Sequence, residues 1–329
     1  MLRFGVIGTN WITESFIAAA RESGEAAVTA VCSRTAERAE EFAAKHGIAH
    51  RYTEPEQLAA SREIDAVYIA SPNSYHARQA IACLERGKHV LCEKPIASNS
   101  DELEAMVAAA RRSGVVLMEA VKSTLLPNFA AIRDNLPKLG PIRRYFASYG
   151  QYSSRYDAYK QGTVLNAFNP QFSNGALMDL GIYCIYPLAV LFGLPERIRA
   201  NAWMLGSGVD GEGSLLLSYP DMEAVILYSK IANSALPSEI QGEHATMAID
   251  RINELGKVEI RYRDGSVEDV SRPQPGHSMA YEVREFIAAV ASGRTESETN
   301  SLASSLTAMR IMDEARRQIG LEFPADRSL

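Results

Sequence analysis

Cysteine is scarce in this chain: Cys32, Cys83, Cys92 and Cys184 are the only four in 329 residues. None has the spacing of a zinc-ligand set, so they read as core or near-site thiols of a reducing compartment. An excess of positive charge is also missing. The net charge of −6 and pI near 5.7 argue against a large nucleic-acid footprint. No long hydrophobic run is present either: the longest, residues 182–194, is too short to span a bilayer and contains Pro187. The chain opens directly on the strand-like Leu2-Arg3-Phe4-Gly5-Val6-Ile7, with neither the basic nor the apolar region of a signal peptide. Internal repeats, low-complexity tracts and disordered linkers are absent. The expected location is the cytoplasm, with no membrane or nucleic-acid partner. What remains is an ordinary globular composition, 47% hydrophobic and 22% charged, long enough for two domains.

The first part alternates strand and helix patterns. Strands are expected at residues 3–7, 28–32, 66–69, 89–92 and 115–118. Between them lie amphipathic stretches such as 35–46, stopped by Gly47, and 101–112, stopped near Gly114. Short β-branched runs separated by helices predict parallel βαβ units and a doubly wound sheet. After about residue 120 the rhythm changes. Strand-like runs at 143–151, 197–205, 213–219, 223–231 and 257–262 follow one another, interrupted by a strongly apolar helix from 175 to about 191. A mostly antiparallel open sheet faced by helices is the simplest packing of that order. Two amphipathic stretches, 279–291 and 301–318, close the chain. The expected class is α/β, with a dinucleotide-binding domain at 1–120 and an α+β substrate and oligomerisation domain at 121–329.

Gly8, Thr9, Asn10, Trp11 and Ile12 fall between the first strand and first helix, where a dinucleotide's phosphates would meet a helix N-terminus. As a fingerprint the stretch is degraded: G-x-G-x-x-G becomes Gly8-x-Asn10-x-x-Thr13. Asn tolerates a left-handed backbone, so the turn can survive, while Thr13 should make helix–strand packing less close. A plain strand-to-helix turn is the alternative. After the second strand, where an NAD site usually carries an acid, the chain has Ser33, Arg34 and, one helical turn on, Arg38. A hydroxyl and guanidinium suit a 2′-phosphate, which would repel a carboxylate. Otherwise these residues form a solvated helix start with Thr35 as its cap. Ser71, Pro72, Asn73 and His76 follow the third expected strand, in a loop able to lie along a cofactor, although a lone histidine is more often structural.

The run Gly87-Lys88-His89-Val90-Leu91-Cys92-Glu93-Lys94-Pro95 carries the most chemistry. Pro95 biases Lys94 towards an extended backbone at the carboxyl end of a strand, where open α/β sheets keep their ligands. An ammonium there can bind a hydroxyl or carbonyl oxygen and steady charge during reaction. Asp179 and Tyr183 lie four apart on the apolar helix, so both share one face. A carboxylate and a phenol are costly to bury there without partners. A phenol ionises unperturbed near pH ~10, and a nearby cation such as Lys94 would be needed to ionise it at neutral pH. The duller alternative makes Tyr183 a core aromatic and Asp179 a structural acceptor.

Taken together these residues resemble the glucose-fructose oxidoreductase/inositol dehydrogenase/rhizopine-catabolism family, Gfo/Idh/MocA. The resemblance covers nearly the whole chain: the degraded glycine turn, Ser71–His76, Gly87–Pro95, Met118-Glu119-Ala120, and the stretch from Gly175 to Tyr183. It implies an N-terminal Rossmann domain and a C-terminal domain whose open sheet often mediates oligomerisation, here a homodimer or homotetramer. It also implies nicotinamide-linked chemistry on sugars, cyclitols or related alcohols, with no metal. Lys94 matches the family's active-site lysine; Asp179 and Tyr183 match its acid and its histidine or tyrosine. The tyrosine form resembles the dimeric dihydrodiol dehydrogenases and glucose-fructose oxidoreductases more than the inositol dehydrogenases. NADP(H) is expected over NAD(H), held by Gly8–Ile12, Ser33, Arg34, Arg38, the 71–76 loop, Glu93 and Lys94.

Two departures stand out. Lys122-Ser123-Thr124-Leu125-Leu126 replaces the family's aromatic-Arg stretch before Pro127, so that arginine's substrate contact is lost unless Lys122 substitutes. Asn10 replaces a glycine. Residues 145–172 also gather Tyr145, Tyr149, Tyr152, Tyr156, Tyr159, Phe168 and Phe172 with Arg155 and Lys160. These could line a pocket for a ring-shaped polyol, or divide between strand packing and a surface loop. From another class, a nucleotide-sensing regulator without chemistry would keep the same fold.

Overall fold

The computed structural model describes residues 1–327. In chain order the elements are β1 Leu2–Ile7, α1 Trp11–Ser23, β2 Ala26–Cys32, α2 Ala36–His46, β3 His50–Tyr52, α3 Pro55–Ala60, β4 Ala66–Ile69, α4 His76–Leu84, β5 His89–Glu93, α5 Ser100–Ser113 and β6 Leu117–Ala120. There follow α6 Pro127–Asn135, β7 Ile142–Gly150, α7 Tyr156–Lys160, α8 Ile182–Phe192, β8 Arg197–Met204, β9 Asp210–Ser218 and β10 Glu223–Ser229. The chain ends with β11 Ser238–Gly242, β12 Ala245–Ile249, β13 Val258–Tyr262, β14 Val267–Asp269, α9 Ala280–Ala291 and α10 Leu302–Ile319. They sort into two compact units, residues 1–122 with 276–303, and residues 123–275 with 304 onward. The return of 276–303 to the first unit is absent from the two-segment division expected from the sequence. Its cause is tertiary: Phe286 of α9 meets Phe4 of β1 with ring centroids 5.6 Å apart.

The first unit is a six-stranded parallel sheet in the order β3-β2-β1-β4-β5-β6. The order in which strands are added therefore reverses between β1 and β4, the point where such sheets leave a crevice at their carboxyl ends. Apolar, β-branched strands buried on both faces are what this arrangement needs. Val6, Val67 and Val90 are wholly buried, and Phe16 of α1 stacks on Tyr68 of β4 at 3.9 Å.

The second unit is an eight-stranded sheet, β14-β13-β12-β11-β7-β10-β9-β8, antiparallel at every described neighbour except the parallel pair β7–β10. One face buries Tyr145, Leu215, Ala224 and Ile226, while the other leaves Trp203 and Leu216 exposed. The helical segment 170–192 is long and apolar enough to cross a membrane by length and composition, but 72% of its most apolar window is buried. It is a core helix. Its middle, Leu177–Gly181, forms a π turn, a local widening that often accompanies a functional site.

Candidate functional site

The candidate groups fall into two sets, one in each unit. In the first unit the β1–α1 loop begins at Gly8, whose φ of +106° and proximity to the Ala70 carbonyl (2.7 Å from where a Cβ would sit) admit only glycine. Asn10 differs from the expectation of a left-handed turn. Its backbone is extended, φ −102° and ψ 178°, and its side chain caps α1, accepting from the N–H groups of Ile12 at 3.0 Å and Thr13 at 3.2 Å. The same amide donates to Ala70 O at 2.8 Å, tying the loop to β4. Asparagine thus serves as a cap and a brace, not as a glycine substitute. Thr13 is accommodated fully buried behind it, and Trp11 stands 68% exposed on the first turn.

Past β2, Ser33 is half-buried and Arg34 exposed, with no hydrogen bond or ion pair to its guanidinium among the described residues. Thr35 caps α2, and Arg38 is divided between Glu41 at 3.0 Å and the Thr9 carbonyl of the β1–α1 loop at 3.4 Å. A guanidinium open to solvent, a second one beside the glycine turn, and no acid in the stretch from Ser33 to Arg38 except Glu37 fit an adenosine 2′-phosphate.

Past β4, Ser71 donates to Gln79 at 2.6 Å, and Pro72 and Asn73 lead into a short 3₁₀ turn. His76 is fully buried, its ring nitrogens against Ser71 O at 2.8 Å and Pro95 O at 3.0 Å; burial holds it below its ordinary value despite both carbonyls. It staples this loop to the segment bearing Lys94 and presents nothing to solvent. Glu119 of β6 braces the same segment, accepting the Ile96 N–H at 3.0 Å. Lys94 is half-exposed directly after β5 and joined to Pro95 by a cis bond. Behind it, burial pushes the Glu93 carboxyl up, even though the Tyr68 hydroxyl donates to it and Lys94 attracts it.

Sequence reasoning missed Glu282. It lies on the buried face of α9, 1% exposed, with neither carboxyl oxygen hydrogen-bonded, and burial and then the charge of Glu93 push its carboxyl well above the usual range. The signal was there: Glu282 precedes Phe286 by one helical turn on the apolar face. Lys122 is drawn into this cluster. Its ammonium lies 3.4 Å from Ser278 Oγ, and its charge reaches both Glu93 and Glu282.

In the second unit Asp179 sits on the π turn and Tyr183 on the first turn of α8. Lys230, just past β10, places its ammonium 2.9 Å from Asp179 Oδ2 with its own side chain only 3% exposed. It also donates to Ala167 O at 3.1 Å and Asn174 Oδ1 at 3.4 Å, over the Phe168 ring. Asp210, fully buried, accepts the N–H groups of Ala176 at 3.0 Å and Leu177 at 2.7 Å; burial raises it to about 6 against those bonds and the Lys230 charge. Tyr183 meets Tyr149 edge-on at 5.6 Å, and the Tyr149 hydroxyl donates to Gln151 at 2.9 Å and accepts from Asn253 at 3.2 Å.

The rest of the aromatic stretch divides as its duller reading has it. Tyr145 is core, bonded to Cys184 O, while Tyr152, Tyr156 and Tyr159 pack on one another beside Lys160. Lys230 was legible by parity: Ala224, Ile226 and Tyr228 point inward, so Lys230 does too.

Residues 2–121 match the family model described as an oxidoreductase family with an NAD-binding Rossmann fold, and residues 137–248 match its GFO/IDH/MocA C-terminal domain. The chain is 54% identical over 328 residues, all of both chains, to the scyllo-inositol 2-dehydrogenase (NADP(+)) IolU of Bacillus subtilis (strain 168). It is 32% identical, over 99% of each, to the trans-1,2-dihydrobenzene-1,2-diol dehydrogenase of Mus musculus. Among solved structures it is similar to KijD10, a 3-ketoreductase from Actinomadura kijaniata in complex with NADP, at 25% identity and a TM-score of 0.80, covering 97% of this chain and 98% of that one. These likenesses favour an enzyme over a regulator.

Proposed function

The chain belongs to the Gfo/Idh/MocA family of oxidoreductases, and from that premise we propose that it oxidises a ring CH–OH of a cyclitol, scyllo-inositol or a close stereoisomer, using NADP. One observation carries the assignment of roles. Across residues 175–189 only Asp179 and Tyr183 are half-exposed; every other side chain is buried. A core helix that exposes one carboxylate and one phenol, each braced from another element, is built to present them.

The nucleotide, when bound, would supply the hydride acceptor by which a carbinol becomes a ketone. The protein does the rest. Lys94 binds the reacting oxygen and stabilises negative charge on it as its proton leaves. Tyr183 takes the hydroxyl proton as general base. Asp179 accepts a hydrogen bond from a neighbouring substrate hydroxyl and fixes the ring. Gly8 to Ile12 hold the pyrophosphate at the α1 N-terminus, Ser33 and Arg34 take the 2′-phosphate with Arg38 behind them, and the 71–73 loop and Glu93 line the remainder. His76 braces that loop from within.

A second copy is proposed to cover the sheet face bearing Trp203 and Leu216, in the cytoplasm. The test is a fluorescence titration with NADPH and with NADH, Trp11 reporting, followed by NADPH formation with scyllo-inositol. NADPH preference and inositol turnover support the reading. Tight NADPH binding without turnover of any polyol would favour the regulator, and NADH preference would sink the Arg34 assignment.

A further inference from the structure

Lys230 raises a question of purpose. Burying an ammonium is costly, and a strand end with a neutral residue there would satisfy the sheet equally well. Its three donors are all used: a carboxylate on the π turn, a carbonyl in the turn Asn166–Phe168, and the Asn174 side chain. Asp210 is the other buried acid nearby, and the Lys230 charge reaches it, but the hydrogen bonds that hold its two oxygens come from the N–H groups of Ala176 and Leu177. The ion pair goes to Asp179, the half-exposed acid. Parallel strands β7 and β10 place Tyr149 opposite Tyr228, so the carboxyl ends of this one parallel pair deliver both braces, Tyr149 to Tyr183 and Lys230 to Asp179.

We infer that Lys230 is the positioning residue of the substrate-binding acid: it fixes the Asp179 carboxylate and the 167–174 loop together, and so sets how tightly a polyol's non-reacting hydroxyl is held. This rests on the role proposed for Asp179. A fixed carboxylate accepts from hydroxyl donors and rejects a keto oxygen at that place, so the device selects polyhydroxylated rings. A residue that works through a non-reacting hydroxyl changes KM far more than kcat.

The test is a double-mutant cycle with scyllo-inositol and NADP on the full-length enzyme, with NADPH binding measured by Trp11 fluorescence in each variant. Lys230→Met and Asp179→Asn should each raise KM about 10-fold, with kcat within about threefold of wild type, and the double variant should be no worse than either alone. NADPH affinity should stay within about twofold, since the cofactor groups lie in the other unit. Effects that multiply to about 100-fold in the double variant would overturn the inference and leave Asp179 in place. An Asp179→Asn enzyme with wild-type KM and kcat would instead remove the Asp179 assignment, and Lys230 with it. Should Lys230→Met yield no folded protein, Asn174→Ala removes one of the ammonium's acceptors: a KM rise present in wild type and absent in the Asp179→Asn background supports the pairing, and an equal rise in both overturns it.

Discussion

Arg34 and Lys230 are both cations just past the end of a strand, yet the chain treats them in opposite ways. Arg34 stands in solvent with its guanidinium unengaged among the described residues, ready for a ligand's charge. Lys230 is sealed and wholly spent on its own unit's groups. A surface cation contributes little to folding and much to selecting an anionic ligand, and salt screens it. A buried cation binds nothing from outside; it fixes the group that does. On the proposed roles, one unit would recognise by open charge and the other by charge already neutralised.

The largest test of that contrast concerns Lys94, the half-exposed cation proposed to bind the reacting oxygen. Lys94→Met is expected to lower kcat about 10³-fold while NADPH affinity changes less than about twofold, read by steady-state kinetics beside the fluorescence titration.

Next comes the buried side. Burial raises Asp210 from an ordinary 3.8 to about 6. An acid whose folded value lies above its unfolded one contributes stability that is fully present below the unfolded value and lost as pH rises through the folded one. Wild type should therefore lose about 2 kcal/mol of unfolding free energy from this group between pH 4 and 6, relative to Asp210→Asn, in urea titrations of both. Equal slopes in the two proteins would remove the buried charge from the account.

The open side predicts less. Arg34→Ala should weaken NADPH about 10- to 30-fold and leave NADH unchanged, and the wild-type preference should shrink in high salt. Smallest of all, Asn10→Ala should cost about 1 kcal/mol of stability for the lost cap, seen as a lower urea midpoint.

The first unit's sheet is legible in the sequence because each of its main strands is a contiguous apolar run. β3 (His50-Arg51-Tyr52), β11 (Ser238–Gly242) and β14 (Val267–Asp269) are mostly polar or charged, so their neighbours specify them more than their own composition, and β12 went unmarked although Ala245–Ile249 is mostly apolar. Lys94, Asp179 and Tyr183 announce themselves by local motif. Their supports do not, since Lys230 lies 51 residues beyond Asp179 and Asn253 104 beyond Tyr149. Asn10 was noticed for the wrong property, its tolerance of a left-handed backbone, when its capping chemistry decides its place. The π turn has no sequence signature beyond Gly181 within an apolar helix.

Because residues 276–303 return to the first unit, synthesis delivers that unit in two pieces. About 150 residues of the second unit are made in between, and at ~5–20 residues per second this takes ~10–30 s on the ribosome. Throughout that interval Phe4 lacks Phe286, and the sheet waits without α9. The first unit, though first to emerge, is completed only after nearly all of the second has been made.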